Sequence, residues 1–145
     1  LRNAFPDVQL TTDIIPAFPG ETDSDFQETV EFCKKVGFLN AHIFTYSKRE
    51  GTPAAKMTEQ VRSDLAHNRT SHLISVQKEI TNSILKSQIG KTFDVLFETD
   101  SDGYSVGHTP SFIEAKVITD KKLQTFTARV LIESATDGTA IGKLV

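Results

Sequence analysis

The hydrophobic repeat of this chain changes near Gly90, and that change limits the possible folds more than any other feature. Over residues 58–89 apolar side chains recur at intervals of three and four, interrupted by Arg69, which predicts a long amphipathic helix. Beyond that point apolar residues alternate with polar ones, beginning with Phe93 and Val95, as in a half-buried strand. The sequence therefore predicts a helix that leads into a β-rich domain, with the boundary near Gly90.

The β-rich part is predicted to contain short strands separated by turns. Asp102-Gly103 predicts a hairpin, and further turn residues stand at Pro110, Asp120 and Asp137-Gly138. Besides the strand that begins at Lys91, the predicted strands cover residues 104–109, 112–118, 123–133 and 139–145. Five short strands in about 55 residues favour a small closed antiparallel β-barrel of the oligonucleotide-binding kind.

The first third of the chain has the pattern of a strand, a helix and a second strand. Residues 8–15 are rich in β-branched and apolar side chains and stop at a proline, which predicts a strand. Apolar side chains from Phe26 to Val36 then share one helical face that ends at Gly37, and residues 39–46 predict the second strand. This βαβ order predicts parallel strands with ligands at their carboxyl ends. Two strands do not bury both faces of a parallel sheet, so the unit is expected either to belong to a larger α/β body or to find a partner surface.

The cysteine and histidine content argues against a resident metal. Cys33 is the single cysteine of the 145 residues and falls on the apolar helical face, so we expect it in the core. One cysteine cannot form an internal disulfide, and it cannot alone hold zinc or an iron–sulfur cluster. His67 and His72 are five residues apart, off the spacing that places two ligands on one helical face.

Charge and hydropathy narrow the set of partners. No stretch is apolar and long enough for a membrane span, and no secretory signal is present. The protein is therefore expected to be cytoplasmic, with no membrane partner. A formal net charge of −3 argues against a wholly basic surface and leaves room for a local nucleic-acid-binding patch.

Several patterned segments resemble one known family. They are residues 12–15 (TDII), 18–22 (FPGET), 42–55 (HIFTYSKREGTPAA), 89–92 (IGKT), 103–104 (GY) and 107–109 (GHT). Together they resemble the radical S-adenosylmethionine tRNA methylthiotransferases, and the later segments resemble the TRAM domain of that family, a small RNA-binding β-barrel. The GHT and KREGTPAA segments are most similar to the branch that acts on N6-threonylcarbamoyladenosine next to the anticodon.

The resemblance implies a parent enzyme that binds a [4Fe-4S] cluster and S-adenosylmethionine on a partial (β/α) barrel and adds a methylthio group to tRNA. Residues 1–57 would be the last βαβ portion of that barrel, residues 58–89 the connecting helix, and residues 90–145 the five-stranded antiparallel TRAM barrel. The family's Cys-x-x-x-Cys-x-x-Cys loop does not occur in this sequence. The chain is therefore expected to be a carboxyl-terminal fragment, inactive and without cofactor by itself, whose partners are tRNA and the missing amino-terminal part.

The resemblance also implies site residues in the first domain. Asp13, Phe18, Phe44 and Tyr46 become candidates for the S-adenosylmethionine pocket, although residues 18–21 could equally form a purely structural strand-to-helix turn. The family usually has Val-Gly where this chain has Pro16-Ala17, which alters a turn where glycine would permit close approach of a ligand.

Candidate RNA-binding residues lie on both sides of Gly90. Lys48 and Arg49 follow the second strand and could grip phosphate beside Tyr46, or could be part of a solvated loop. In the barrel, Tyr104 or Phe112 could stack on bases, although scattered lysines and a core Phe112 are equally compatible with the sequence. The predicted basic patch of the barrel consists of Lys91, His108, Lys116 and Arg129.

A second function remains open on the sequence alone, a stand-alone nucleic-acid-binding module without chemistry. A longer reading frame that encodes the three-cysteine loop would favour the enzyme. Under the enzyme hypothesis, missing strands would expose apolar faces at Ile14, Ile43 and Phe44. We therefore expect either a homodimer formed through an exposed sheet edge or a disordered amino-terminal third.

Overall fold

The computed structural model describes residues 3–5 and 7–145, so Leu1, Arg2 and Pro6 of the predicted first domain lie outside the described residues. The chain divides into two compact units. One comprises residues 10–80, and the other comprises residues 81–145 with the described residues before Leu10. No helix within the described part of the chain is long and apolar enough to cross a membrane.

The first unit is built on a βαβ element followed by two helices. Its strands β1 and β2 pair in parallel, with Asp13 opposite His42 and Ile14 opposite Ile43. This confirms the predicted order of strand, helix and strand, although both strands are shorter than predicted and the described residues give this sheet two strands only. The elements of this unit are β1 (Thr11–Ile14), α1 (Asp23–Val36), β2 (Asn40–Ile43), α2 (Pro53–Lys56) and α3 (Ser63–Lys86), of which α3 continues into the second unit.

Helix α1 has signals at both ends that explain its bounds. The Thr22 hydroxyl accepts a hydrogen bond from the Asp25 amide, while the Asp25 carboxylate accepts one from the Thr22 amide, a reciprocal capping box. Gly37 ends the helix in the left-handed conformation at φ 64°. Cys33 is buried on the inner face, as predicted.

The core of this unit lies on one face of the parallel pair. Ile14 and Ile43 pack against it and are half-buried, so the prediction that their apolar side chains lie exposed is wrong. The reason is that α1 and α3 cover this face, whereas the other face carries exposed polar residues such as Asp13 and His42. Phe44 is exposed, as predicted. The central buried residues are Phe26, Val30, Cys33, Phe38, Leu73 and Val76.

The long helix is shorter than its predicted range of residues 58–89. Short α2 precedes it, capped by Thr52, whose hydroxyl accepts a hydrogen bond from the Ala55 amide. Pro53 fits the first turn of α2 because its missing N–H would have no helical partner there. Residues between α2 and α3 carry no helix, so the apolar repeat extends further than the helix itself.

The second unit contains a closed five-stranded barrel in the order β3-β4-β5-β7-β6. The predicted all-antiparallel barrel is wrong, because β5 and β7 pair in parallel. A closed ring of five strands cannot alternate in direction throughout, since alternation requires an even number of strands. The barrel is therefore mixed, and its strands are β3 (Thr92–Ser101), β4 (Tyr104–His108), β5 (Glu114–Ile118), β6 (Thr127–Thr136) and β7 (Thr139–Leu144).

Alternating side chains fill the interior of the barrel, as the period of two predicts. Glycine is required at Gly107, because an added Cβ would overlap the Leu96 carbonyl and the Cα of Phe97. Gly107 lies beside the register shift of β3 between Phe97 and Thr99, where the neighbouring strand comes close. Buried interior residues are Val95, Phe97, Ala115, Val117, Val130, Ile132 and Ala140.

Candidate functional site

The loops that leave β1 and β2 emerge at the same edge of the parallel pair. Backbone pairing continues beyond the strands, since the Phe44 amide donates to the Ile14 carbonyl at 2.9 Å and the Tyr46 amide donates to the Pro16 carbonyl at 3.2 Å. This is the carboxyl edge of the strands, where α/β sheets commonly bind ligands. The fold thus brings the two patterned segments of the first unit together.

Two aromatic contacts organise this edge. Phe18 and Tyr46 meet edge to face, with ring centroids 5.3 Å apart. The Tyr46 hydroxyl is buried and has no hydrogen-bond partner among the described residues. Phe44 stacks on His42 at 6.4 Å, and Asp13 lies opposite His42 in the sheet register. Each of the four residues predicted for the cofactor pocket therefore lies at this edge or on the polar face beside it.

The loop from Ala17 to Thr22 is held by its own polar contacts. Ala17 adopts φ 62° and Gly20 adopts φ 88°, a region that costs a non-glycine residue about 1–2 kcal/mol. The Ala17 amide donates to Oε2 of Glu21 at 2.8 Å, and the Gly20 amide donates to the Glu59 carbonyl at 2.8 Å. Ala17 therefore bears a backbone cost that a glycine at this position would avoid.

A buried arginine contacts this loop, and sequence reasoning gave it no role. The side chain of Arg69, on α3, is 4% exposed. Its Nη1 donates to Oε2 of Glu21 at 2.7 Å and to the Glu21 carbonyl at 3.0 Å, while Nη2 donates to Asp23 at 2.6 Å. Its guanidinium also lies 5.6 Å from the centre of the Phe26 ring. Desolvation alone would lower the pKa of Arg69, but hydrogen bonding to Asp23 and the charge of Glu21 raise it overall.

The sequence did contain a signal for this residue. Arg69 interrupts the apolar stripe of α3, and a charged side chain on the buried face of a helix needs charged partners. Those partners lie 46 and 48 residues away along the chain. The sequence therefore indicates that a partner exists without indicating which residue supplies it.

The two cations after β2 lie on an exposed segment. Lys48 and Arg49 are both exposed. The Arg49 carbonyl accepts hydrogen bonds from the Thr52 hydroxyl at 2.8 Å and the Thr52 amide at 3.3 Å. These hydrogen bonds connect the backbone of this segment to the start of α2. Both charged residues follow Tyr46 along the chain.

The four basic residues predicted for the barrel lie on or beside four different strands. Arg129 is on β6, opposite Asp94 of β3. Lys116 is on β5, which β7 separates from β6 on one side of the ring, while β4 and β3 separate them on the other. His108 pairs with Glu98 at 2.8 Å through Nδ1, and Lys91, just before β3, donates to Gln88 at 3.2 Å. His108 and Lys116 thus lie on neighbouring strands, whereas Arg129 lies on a strand that is not next to β5.

Two aromatic side chains of the barrel are accessible to solvent, since Tyr104 is half-buried and Phe112 is exposed. The Lys116 ammonium lies 3.6 Å from the centre of the Tyr104 ring, a cation–π contact between neighbouring strands. Phe112 is 78% exposed and adopts φ 62°, so the structural alternative that placed it in the core is wrong. The Phe112 amide donates to the Thr109 carbonyl at 2.9 Å, which holds this turn.

The described residues contain no cluster of three or more histidine, cysteine or acidic side chains that could hold a metal. Cys33 packs in the hydrophobic core, and burial raises the pKa of its thiol. A thiol in that state is a poor ligand, because iron and zinc bind the thiolate. The residues present therefore do not fit an iron–sulfur cluster.

Comparison with known proteins gives a consistent set of relatives. No protein-family model matches the chain. It is 39% identical over 146 aligned positions to the tRNA-2-methylthio-N(6)-dimethylallyladenosine synthase of Desulfitobacterium hafniense, covering 99% of this chain and 33% of that protein. The enzyme of the same name from Bartonella bacilliformis is 36% identical over 145 positions, covering 99% and 31%.

The relative of the same name from Acetivibrio thermocellus is 46% identical over 98 positions, 68% of this chain and 20% of that protein. Among solved structures, the apo form of Mycoplasma genitalium RNase R matches with a TM-score of 0.40 and 12% identity, over 57% of this chain and 18% of that one. The chain spans about a third or less of the length of the three named synthases. Nearly all of the chain is therefore similar to one segment of proteins named tRNA-2-methylthio-N(6)-dimethylallyladenosine synthase.

Proposed function

We propose that this chain is the carboxyl-terminal part of a radical S-adenosylmethionine tRNA methylthiotransferase, which adds a methylthio group to an N6-modified adenosine next to the anticodon. The observation that carries this proposal is the alignment of 99% of the chain with enzymes named for that reaction. Such an enzyme is expected to work in the cytoplasm, where its tRNA substrate is found.

In this proposal the first unit supplies part of the S-adenosylmethionine pocket. Phe18 and Tyr46 would offer an aromatic surface at the carboxyl edge. Asp13 and Phe44, on the polar face, would line the same pocket from the sheet. Residues 1–57 would then complete a partial (β/α) barrel whose other strands lie in the rest of the protein.

The [4Fe-4S] cluster of such an enzyme would be held elsewhere. Cys33 is a core residue, so the proposal requires the three-cysteine loop to lie in a part of the protein beyond this chain. No step of the chemistry is assigned to residues of this chain. Their role is to bind and orient the cofactor and the tRNA, and this chain by itself is expected to be inactive.

Residues 90–145 would form the TRAM domain, joined to the first domain by residues 58–89, which contain α3 (Ser63–Lys86). Lys116 and Arg129 present cations from strands that are not neighbours, and His108 lies on β4, next to the strand of Lys116. Lys48, Arg49 and Lys91 would add phosphate contacts outside the strands. Tyr104 and Phe112 offer surfaces for stacking on unpaired bases. Contacts distributed around a barrel suit a folded RNA larger than the domain itself.

The modified nucleoside has two candidates. The names of the relatives favour N6-dimethylallyladenosine, whereas the GHT and KREGTPAA segments resemble the threonylcarbamoyladenosine branch. We propose the dimethylallyl form, because two of the supporting alignments span 99% of the chain, whereas the other branch is favoured by two short segments.

The experiment is expression of the longer reading frame that contains this chain in a bacterial strain without its own methylthiotransferases, followed by mass spectrometry of tRNA nucleosides. We expect 2-methylthio-N6-dimethylallyladenosine to appear. A matched variant with one cysteine of the three-cysteine loop changed to alanine should give none. Methylthiolation of threonylcarbamoyladenosine instead would assign the other branch.

The alternative of a nucleic-acid-binding module without catalysis makes a different prediction. A reading frame that lacks the three-cysteine loop, together with tRNA that stays unmodified, would support the module and overturn the enzyme.

A further inference from the structure

We propose that Arg69 is a positioning residue that fixes the shape of the loop from Ala17 to Thr22, and through that shape sets the affinity of the carboxyl edge for S-adenosylmethionine. The inference rests on the proposed function for the identity of the ligand. The loop-holding role itself stands on the contacts of this chain alone.

The two acidic partners of Arg69 differ in their exposure to water. The Glu21 side chain is 13% exposed, whereas that of Asp23 is 88% exposed. Water screens an exposed pair strongly and a buried pair weakly. Glu21 is therefore the main partner of the buried guanidinium, and Asp23 contributes less in spite of its short distance.

Glu21 connects Arg69 to the backbone of the loop. Oε2 of Glu21 accepts from both Arg69 and the Ala17 amide. One carboxylate oxygen thus joins α3 to the first residue of the loop, and that residue holds an unfavourable backbone conformation. The Glu21 carbonyl accepts from the same guanidinium, so both the side chain and the backbone of the loop are fixed.

An arginine suits this position better than a lysine would. Arg69 reaches three acceptors, two on Glu21 and one on Asp23. A planar guanidinium can serve several acceptors at once in fixed directions, which a lysine ammonium on a flexible stem does less well. A lysine at this position would keep the charge and lose the geometry.

The loop that Arg69 holds forms part of the carboxyl edge of the strands. Phe18 lies within the fixed segment and makes the edge-to-face contact with Tyr46. A shift of the loop would separate the two rings that form the proposed aromatic surface. A displacement of positioning groups by about 1 Å can lower the rate of an enzyme by about a hundredfold.

The test uses the full-length enzyme with its cluster in place and compares Arg69→Met, Arg69→Lys and Glu21→Gln with the wild type. The matched control is Arg62→Met, which removes an exposed arginine paired with Asp64 next to the same helix. Equilibrium dialysis measures the Kd for S-adenosylmethionine, hydrogen exchange measures the amides of residues 17–22, and filter binding measures tRNA affinity.

We expect Arg69→Met to raise the Kd for S-adenosylmethionine by about tenfold or more, with faster exchange of loop amides and unchanged tRNA affinity. Arg69→Lys and Glu21→Gln should show intermediate losses, and Arg62→Met none. If Arg69→Met does not fold, Arg69→Lys decides the question.

Two outcomes distinguish a failure of the positioning role from a failure of the proposed function. Unchanged loop exchange and unchanged Kd in folded Arg69 variants would overturn the positioning role. A wild-type enzyme that fails to bind S-adenosylmethionine would overturn the proposed function, and the exchange of residues 17–22 would still decide whether Arg69 holds the loop.

Discussion

Asp100 accepts a 2.6 Å hydrogen bond from the hydroxyl of Ser105, the residue opposite it across the hairpin of β3 and β4. Ser105 is fully buried, so this hydroxyl needs a partner within the protein. The same carboxylate accepts hydrogen bonds from the amides of Leu123 and Gln124 at 3.0 and 3.2 Å. One acidic residue thus joins the hairpin to the loop before β6.

This network predicts a pH dependence of barrel stability. Hydrogen bonds from Ser105 first, and then from the two amides, lower the pKa of Asp100. A carboxyl whose pKa is lower in the folded state stabilises the fold at pH values above its unfolded pKa, and that contribution is lost as the pH falls through the folded pKa. Asp100→Asn should therefore lower the free energy of unfolding at pH 7, and the difference from wild type should shrink below about pH 4.

Urea denaturation at pH 7 and pH 3 measures this difference. Asp102→Asn, an exposed residue in the turn of the same hairpin, is the control and should change stability little at either pH. An Asp100→Asn deficit that is equal at both pH values would contradict the proposed role of the ionised carboxylate.

Gly107→Ala should be among the most destabilising single substitutions in the barrel. The new methyl group would overlap the backbone of Leu96 and Phe97, and backbone cannot move aside without breaking strand pairing. We expect a loss of about 3 kcal/mol or more. Gly103→Ala, in a turn with open space around it but φ 79°, should cost about 1–2 kcal/mol. Equal losses for the two variants, measured by denaturation, would rule out the steric explanation.

Features that depend on neighbouring residues could be predicted from the sequence, whereas features that depend on distant segments could not. Helix α1 was predictable because its cap, its apolar face and Gly37 are all local signals. The alternation in β3 likewise predicted the burial of Val95 and Phe97. The parallel pairing of β5 with β7 and the partners of Arg69 were not predictable, because no local pattern records which distant segments meet.

Backbone conformation was the other feature that sequence could not supply. Ala17, Phe112 and Thr125 all adopt positive φ, although none belongs to the residue types that favour it. Neighbouring contacts impose these conformations, as the hydrogen bond from the Ala17 amide to Glu21 shows. Turn signals in the sequence predicted the Asp102-Gly103 hairpin but missed these three positions.

Ala17 offers a direct test of the strained turn. Ala17→Val places a β-branched side chain at φ 62° in a buried position, and we expect a loss of about 2 kcal/mol or more in the free energy of unfolding. Ala17→Gly should change stability by less than about 1 kcal/mol, since relief of strain offsets the lost methyl and the greater chain entropy. A tolerated valine in thermal or urea unfolding would show that the turn is not constrained at this residue.

Cys33 provides a probe of the first unit. Burial both blocks access to its thiol and raises its pKa, so little reactive thiolate is available at neutral pH. A chromogenic disulfide reagent should label the native protein slowly and the urea-unfolded chain at least about a hundredfold faster. Because the chain has one cysteine, the signal is unambiguous in this chain. Rapid labelling of the native state would mean that the core around α1 opens readily.

RNA binding by the barrel should depend on salt in proportion to its phosphate contacts. Lys116 and Arg129 lie on strands that are not neighbours in the ring, so each should contact phosphate independently of the other. Affinity for tRNA is expected to be weak and to fall steeply as salt rises. Lys116→Gln and Arg129→Gln should each reduce the slope of log Kd against log salt by about one unit, and additively in the double variant.

Filter binding across a range of salt concentrations measures this slope. Lys34→Gln serves as the control, because Lys34 lies on α1 and already pairs with Glu31 at 3.0 Å. Lys116→Gln also uncovers the Tyr104 ring. We therefore expect this substitution to weaken phosphate contacts more than it weakens stacking on bases. Tight binding that ignores salt would contradict an electrostatic role for these cations and would favour recognition through Tyr104 and Phe112 instead.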